Sequence, residues 1–136
     1  MKFRETTQED MDYLANHSIS QGVTKQQPEQ IDFCYTLEHE GTPLGIGGFR
    51  LINPTTAWCW VDLSDTSGKY IRTVYRVISE WIDEFSKNHN LRRLEAYVRI
   101  DFPEAIRMVE HLGFERESVM SDFIGEESAY LYKRIF

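Results

Sequence analysis

The residues of this chain whose types and spacing suit chemistry gather at one strand–turn–helix junction. Trp58-Cys-Trp-Val-Asp-Leu63 mixes aromatic and β-branched residues and predicts a buried strand. Ser64-Asp-Thr-Ser-Gly-Lys-Tyr-Ile-Arg72 follows as a polar turn that opens a long amphipathic helix. Ser64, Asp65, Thr66 and Ser67 supply N-cap chemistry, and Gly68 lets another group approach the backbone closely. A helix start carries unpaired N–H groups and the positive end of the dipole, so this junction suits an anion such as a phosphate. Lys69, Arg72 and Arg76 add local positive charge.

Other catalytic devices are absent from the sequence. The four histidines, His17, His39, His89 and His111, are scattered without metal-ligand spacing, so no metal site is expected. Cys34 and Cys59 sit in apolar strand-like runs with no CxxC pattern and no activating neighbour, which suits reduced core thiols in a cytoplasmic protein. A net charge of −7 argues against broad binding to nucleic acid or to an anionic membrane. No apolar run approaches the roughly 18 residues of a membrane span. The start of the chain also lacks the apolar core of a signal peptide.

These residues need a scaffold, and a length of 136 residues predicts one domain, 1–136. A short strand at Lys2 to Glu5 leads into a capping-box pattern at Thr6-Thr-Gln-Glu-Asp10 and a helix carrying Met11, Leu14 and Ala15. His17 to Gln30 loses periodicity and reads as a loop. Phe33 to Glu40, Leu44 to Ile52 and the Trp58 strand form an antiparallel meander. Gly45, Gly47 and Gly48 in its middle strand imply a bulge or a close backbone approach. The long helix follows, with Ile71, Val74, Ile78, Trp81 and Phe85 on one stripe. Then come an alternating strand at Leu91 to Ile100, a helix opened by Pro103 and stopped by Gly113, and a strand from Phe114 to Met120. An acidic loop over Ser121 to Glu127 precedes the last strand, Ala129 to Phe136. The order β-α-(loop)-β-β-β-α-β-α-β-β defines an α/β (α+β) domain with a mixed, mostly antiparallel sheet, its long helix forming a right-handed crossover between parallel strands.

Val98-Arg-Ile-Asp-Phe-Pro-Glu-Ala-Ile-Arg-Met-Val-Glu-His-Leu-Gly-Phe114 resembles the strand–Asn-x-x-Ala–helix–Leu-Gly-Phe segment of the GCN5-related N-acetyltransferases (GNATs), and the likeness extends over essentially the whole chain. The resemblance implies the GNAT fold, with central strands splayed around an acyl-CoA, in the first instance acetyl-CoA. It places the pantetheine against the backbone near Val61 to Leu63, and the pyrophosphate on Ser67, Gly68, Lys69, Tyr70, Ile71 and Arg72. Two departures stand out. Tyr70 and Arg72 occupy turn positions that the family keeps small, and the family's helix tyrosine and preceding asparagine fall at Val109 and Phe102.

Acyl transfer to an amine needs a base for the ammonium, a polarised thioester carbonyl and, in many cases, an acid for the departing thiolate. Asp62 and Glu95 are the base candidates, with solvated or paired strand carboxylates as the competing reading. Tyr97, Tyr130 and Tyr132 are the acid candidates, Tyr97 foremost, against half-buried aromatics with a surface hydroxyl. The expected activity is acyl-CoA-dependent N-acylation of a small-molecule or protein amine. The departures also suit a GNAT-like binding or structural module without turnover. Gly41-Thr-Pro-Leu-Gly-Ile-Gly-Gly48 followed by Ser67-Gly68-Lys69 resembles a group of short bacteriophage GNAT-like proteins, which implies a virion partner. Exposed meander edges and an exposed C-terminal strand would allow a homodimer.

Overall fold

A computed structural model of the protein describes residues 1–19 and 32–136. Its elements are β1 (Lys2–Glu5), α1 (Gln8–His17), β2 (Phe33–His39), β3 (Thr42–Asn53), β4 (Thr56–Leu63), a 3₁₀ turn (Asp65–Tyr70), α2 (Ile71–Asn88), β5 (Arg93–Arg99), α3 (Pro103–His111), β6 (Glu115–Ile124) and β7 (Glu127–Ile135). The strands form one seven-stranded sheet in the order β1-β2-β3-β4-β5-β7-β6. Every neighbouring pair is antiparallel except β4 and β5, which α2 joins as a crossover. The expected loop between α1 and β2 lies largely outside the described residues.

Alternation along the strands decides what each face of the sheet meets. Leu94, Ala96 and Val98 of β5 are buried under the stripe formed by Val74, Ile78, Ile82 and Phe85 of α2, and Val109 and Leu112 join the same core. On β3 and β2, Phe49 and Tyr35 pack against Trp81 and Phe85 from that helix. The opposite face holds α1, which is fixed by charge as much as by apolar packing. Thr7 caps the helix in a full capping box with Asp10. The buried Asp10 carboxylate also takes two bonds from Arg4 (2.6 and 2.7 Å) and one from Thr36 on β2 (3.1 Å). Those donors hold it well below the usual carboxylate range, the Arg4 guanidinium contributing most.

Several expectations change here. The glycines of β3 meet both halves of their expectation: the register with β2 shifts between Leu37 and Glu38, beside Gly45, whereas Gly47 and Gly48 sit in regular ladders and permit close approach. A Cβ on Gly48 would stand 2.7 Å from Trp60 Nε1, and one on Gly45 would stand 2.8 Å from Leu63 Cδ2. The acidic 121–127 segment is no open loop, since β6 runs to Ile124 and turns at Gly125 (φ 62°) straight into β7. The C-terminal strand is not an edge, because β7 lies between β5 and β6. Cys34 and Cys59 are both free thiols. Cys34 lies against Thr6 beside α1, whereas Cys59 is in the α2-side core, where burial pushes its pKa up to about 12. His39 is half-buried, with its ring edge-on to Tyr70.

Candidate functional site

β4 and β5 pair over only three positions, Thr56 with Arg93, Ala57 with Leu94 and Trp58 with Glu95. Both strands continue further, β4 to Leu63 and β5 to Arg99, without pairing with each other. The sheet therefore opens at its centre into a V. Its unpaired backbone can be assigned from the hydrogen bonds at either end. Just before β4, Thr55 C=O accepts from Arg92 and Arg93 on the β5 side (2.8 and 3.2 Å), and Ser64 N–H turns the other way to Leu44 C=O (2.9 Å). Since N–H and C=O groups alternate sides along a strand, those of Val61 face the gap.

A cavity of about 170 Å³ fills this gap, lined by Cys59 to Leu63 from β4, Ala96 to Arg99 from β5 and Phe102, Ala105, Met108 and Val109 around α3. Buried backbone polar groups are almost always paired, so open ones beside an apolar slot suit a ligand that brings its own amides. Val109 and Phe102 do line the slot, so an apolar surface stands where the GNAT pattern places a phenol and a carboxamide.

Of the base candidates, Asp62 lines the cavity and accepts a bond of 2.5 Å from the Ser18 hydroxyl. Glu95 is not among the cavity walls. Arg93 holds it at 2.9 and 3.0 Å, in a network that also takes in Glu117 and Lys133, so it is a paired strand carboxylate. Tyr97 lines the cavity, its ring packed between Trp58 (5.6 Å) and Phe123 (4.9 Å). Its hydroxyl has no hydrogen-bond partner among the described residues. Burial raises the Tyr97 pKa, and the nearby Glu95 charge adds to the effect. Tyr132 is fully buried and donates to Glu110 (3.0 Å), and Tyr130 lies beneath the Arg116 guanidinium (3.6 Å), so neither matches Tyr97 in access.

The helix start departs most from expectation. Ser64 to Ser67 do not cap α2, whose cap position is Tyr70 with no side-chain cap bond. Asp65–Tyr70 instead form a 3₁₀ turn, in which backbone N–H groups bond to carbonyls three residues back. Ser67 is turned inward, its N–H (3.1 Å) and hydroxyl (2.7 Å) both donating to Ser64 C=O. Gly68, Lys69, Tyr70 and Arg72 are exposed at the mouth of the junction, with Ile71 half-buried beneath them. Leu63 C=O is also occupied, accepting from Ile19 N–H (3.0 Å). Ser18 and Ile19 are the neighbours that sequence reasoning missed. Ser18 is 44 residues from Asp62 along the chain, in an aperiodic stretch, and reaches this end of β4 through its bond to Asp62 and an isolated bridge to Ser64.

No protein-family model matches the sequence, and no curated protein does. Solved structures do match. A variant of the spermidine N-acetyltransferase SpeG from Vibrio cholerae superposes with a TM-score of 0.77 at 14% identity, covering 99% of this chain and 95% of that one. The ribosomal-protein-S18-alanine N-acetyltransferase from Escherichia coli gives 0.73 at 14% identity, over 98% and 92%. YncA, a putative acetyltransferase from Salmonella typhimurium solved with acetyl-CoA, gives 0.62 at 18%, over 76% and 64%. The fold is that of the GNAT acyl-CoA N-acyltransferases. At these identities the likeness speaks for architecture, and the chemistry has to be argued from the slot.

Proposed function

We propose that this chain, as one domain over residues 1–136, is an acyl-CoA-dependent N-acyltransferase acting on an amine. The carrying observation is the parting of β4 from β5 after Trp58, with the Val61 backbone open onto an apolar cavity. An acyl-CoA supplies the thioester to be attacked and a pantetheine arm whose amides match a strand edge. Val61 is the residue that would pair with that arm, and Lys69, Arg72 and Arg76 would attract the phosphates through their side chains. The residues fit the arm better than they fit the pyrophosphate, because Ser67 and the 3₁₀ amides already have internal partners.

Within the slot, Asp62 would accept a proton from the incoming ammonium, directly or through one water, while Ser18 fixes the carboxylate. Tyr97, kept protonated by burial, would donate to the leaving thiolate in place of the phenol that Val109 lacks. Glu95 has no direct part in this reading.

The test is calorimetric titration of acetyl-CoA and longer acyl-CoAs, followed by assay of thiol release over a panel of amines. Ligand at a hundred times its dissociation constant stabilises a protein by about 2.7 kcal/mol, which for a domain of this size raises Tm by roughly 10 °C. Lys69→Glu should weaken binding by roughly tenfold. Absence of both heat and thermal stabilisation at millimolar acyl-CoA overturns the proposal. Binding without thiol release from any amine would favour a module that has lost turnover.

A further inference from the structure

The cavity does not end at the gap between β4 and β5. It continues on the α2 side of the sheet, beneath Ile78 and Trp81 and over Gly45 and Gly47 of β3. Alternation from Phe49, which packs on that helix, puts Gly47 on the same face. A Cβ built on Gly47 would meet only β4 atoms, Trp60 O at 3.2 Å and Val61 Cγ2 at 3.8 Å, with no atom of α2 within 4 Å. The helix therefore bridges a space above this glycine without filling it. Close-packed interiors hold few voids larger than a water molecule. The channel is one part of the cavity of about 170 Å³ that also fills the gap, and on this side its walls are apolar.

We infer that the acyl donor carries an aliphatic chain longer than acetyl, housed in the channel beneath α2 over Gly47. This rests on the reading of the slot as an acyl-thioester site. Polar walls at the mouth, Asp62, Tyr97 and Arg99, serve the reacting end, and the channel behind them offers an alkyl chain only apolar surface. An acetyl group would leave that surface uncovered, whereas a longer acyl chain would remove part of it from water.

Calorimetry with CoA, acetyl-, butyryl-, hexanoyl- and octanoyl-CoA tests the inference on the unaltered protein. Each fully buried methylene is worth about fourfold in affinity. Hexanoyl-CoA should therefore bind at least roughly tenfold more tightly than acetyl-CoA, even if only half of its extra chain is buried. Gly47→Val, which places a branched side chain in the channel, should bring the hexanoyl-to-acetyl affinity ratio down towards one. Hexanoyl-CoA binding no more tightly than acetyl-CoA overturns the chain-length inference and leaves the acyltransferase reading standing. If CoA and all of its thioesters fail to bind, both are overturned.

Discussion

Replacing Tyr97 by phenylalanine separates chemistry from stability at this site. The substitution keeps the ring between Trp58 and Phe123 and removes only a hydroxyl that has no hydrogen-bond partner among the described residues. Thermal unfolding should therefore shift by no more than about 0.5 kcal/mol. The rate should respond very differently. A positioned general acid contributes roughly 10²- to 10⁴-fold, so Tyr97→Phe should raise the barrier by about 2.7–5.4 kcal/mol. Thiol release, followed with an amine that the wild type accepts, measures this directly, and calorimetry should show acyl-CoA affinity unchanged within about twofold.

The pH dependence gives the experiment a second axis. Tyr97 must be protonated to act, and burial raises its pKa above the ordinary value of 10.0. Its contribution is thus present throughout neutral pH and disappears only as pH rises above about 10. Deprotonation of the acceptor amine alters both proteins alike, so the wild-type-to-variant rate ratio isolates the phenol. That ratio should stay flat from pH 7 to about 10 and collapse beyond. A ratio within twofold of one at neutral pH, or one that already falls by pH 8, refutes Tyr97 as the acid.

Two further substitutions test the scaffold. Asp10→Ala leaves Arg4, Thr7 and Thr36 without their common acceptor and should cost about 2–3 kcal/mol in denaturant unfolding, below the roughly 3–5 kcal/mol of a fully buried broken pair because Arg4 is part-exposed. Since the folded-state pKa of Asp10 is depressed, its stabilisation is present above about pH 4 and lost as pH falls further; the variant should lack that part of the acid limb. Gly48→Ala forces its new methyl to within 2.7 Å of the Trp60 indole and should destabilise the protein by about 1–3 kcal/mol, with a change in tryptophan fluorescence.

The elements were legible wherever one physical signal governed them. The stripe from Ile71 to Phe85, the alternation from Leu94 to Val98 and the Thr7–Asp10 capping box each need only their own residues, and each forms. The site was legible to the extent that it follows from strand order. Asp62 and Tyr97 reach the cavity because they project from β4 and β5 where those strands diverge. The pairing of Glu95 depends on Arg93 two residues before it and on Glu117 and Lys133 from β6 and β7, and no local pattern announces such a network. The position of β7 inside the sheet is likewise a matter of tertiary order: a meander reading puts it at the edge.

The junction that first drew notice plays a different part from the one its composition suggests. Four small polar residues before a helix imply free amides and a cap, yet Ser64 donates to Pro43 C=O (3.0 Å) and Ser67 to Ser64 C=O, tying the turn to β3 and to itself. With its amides engaged in 3₁₀ bonds, anion attraction falls to Lys69, Arg72 and Arg76, exposed side chains whose pull is screened by salt. On the acyl-CoA reading proposed above, tight binding would come from the slot, where the Val61 backbone and the apolar walls lie in a region that solvent screens far less. The same logic explains how Tyr70 and Arg72 are tolerated at positions the GNAT pattern keeps small. If phosphates are met by long side chains rather than by close backbone approach, small residues there are no longer required. On that reading, the selectivity of this site would be set by what fits between β4, β5 and α2, and much less by how the helix begins.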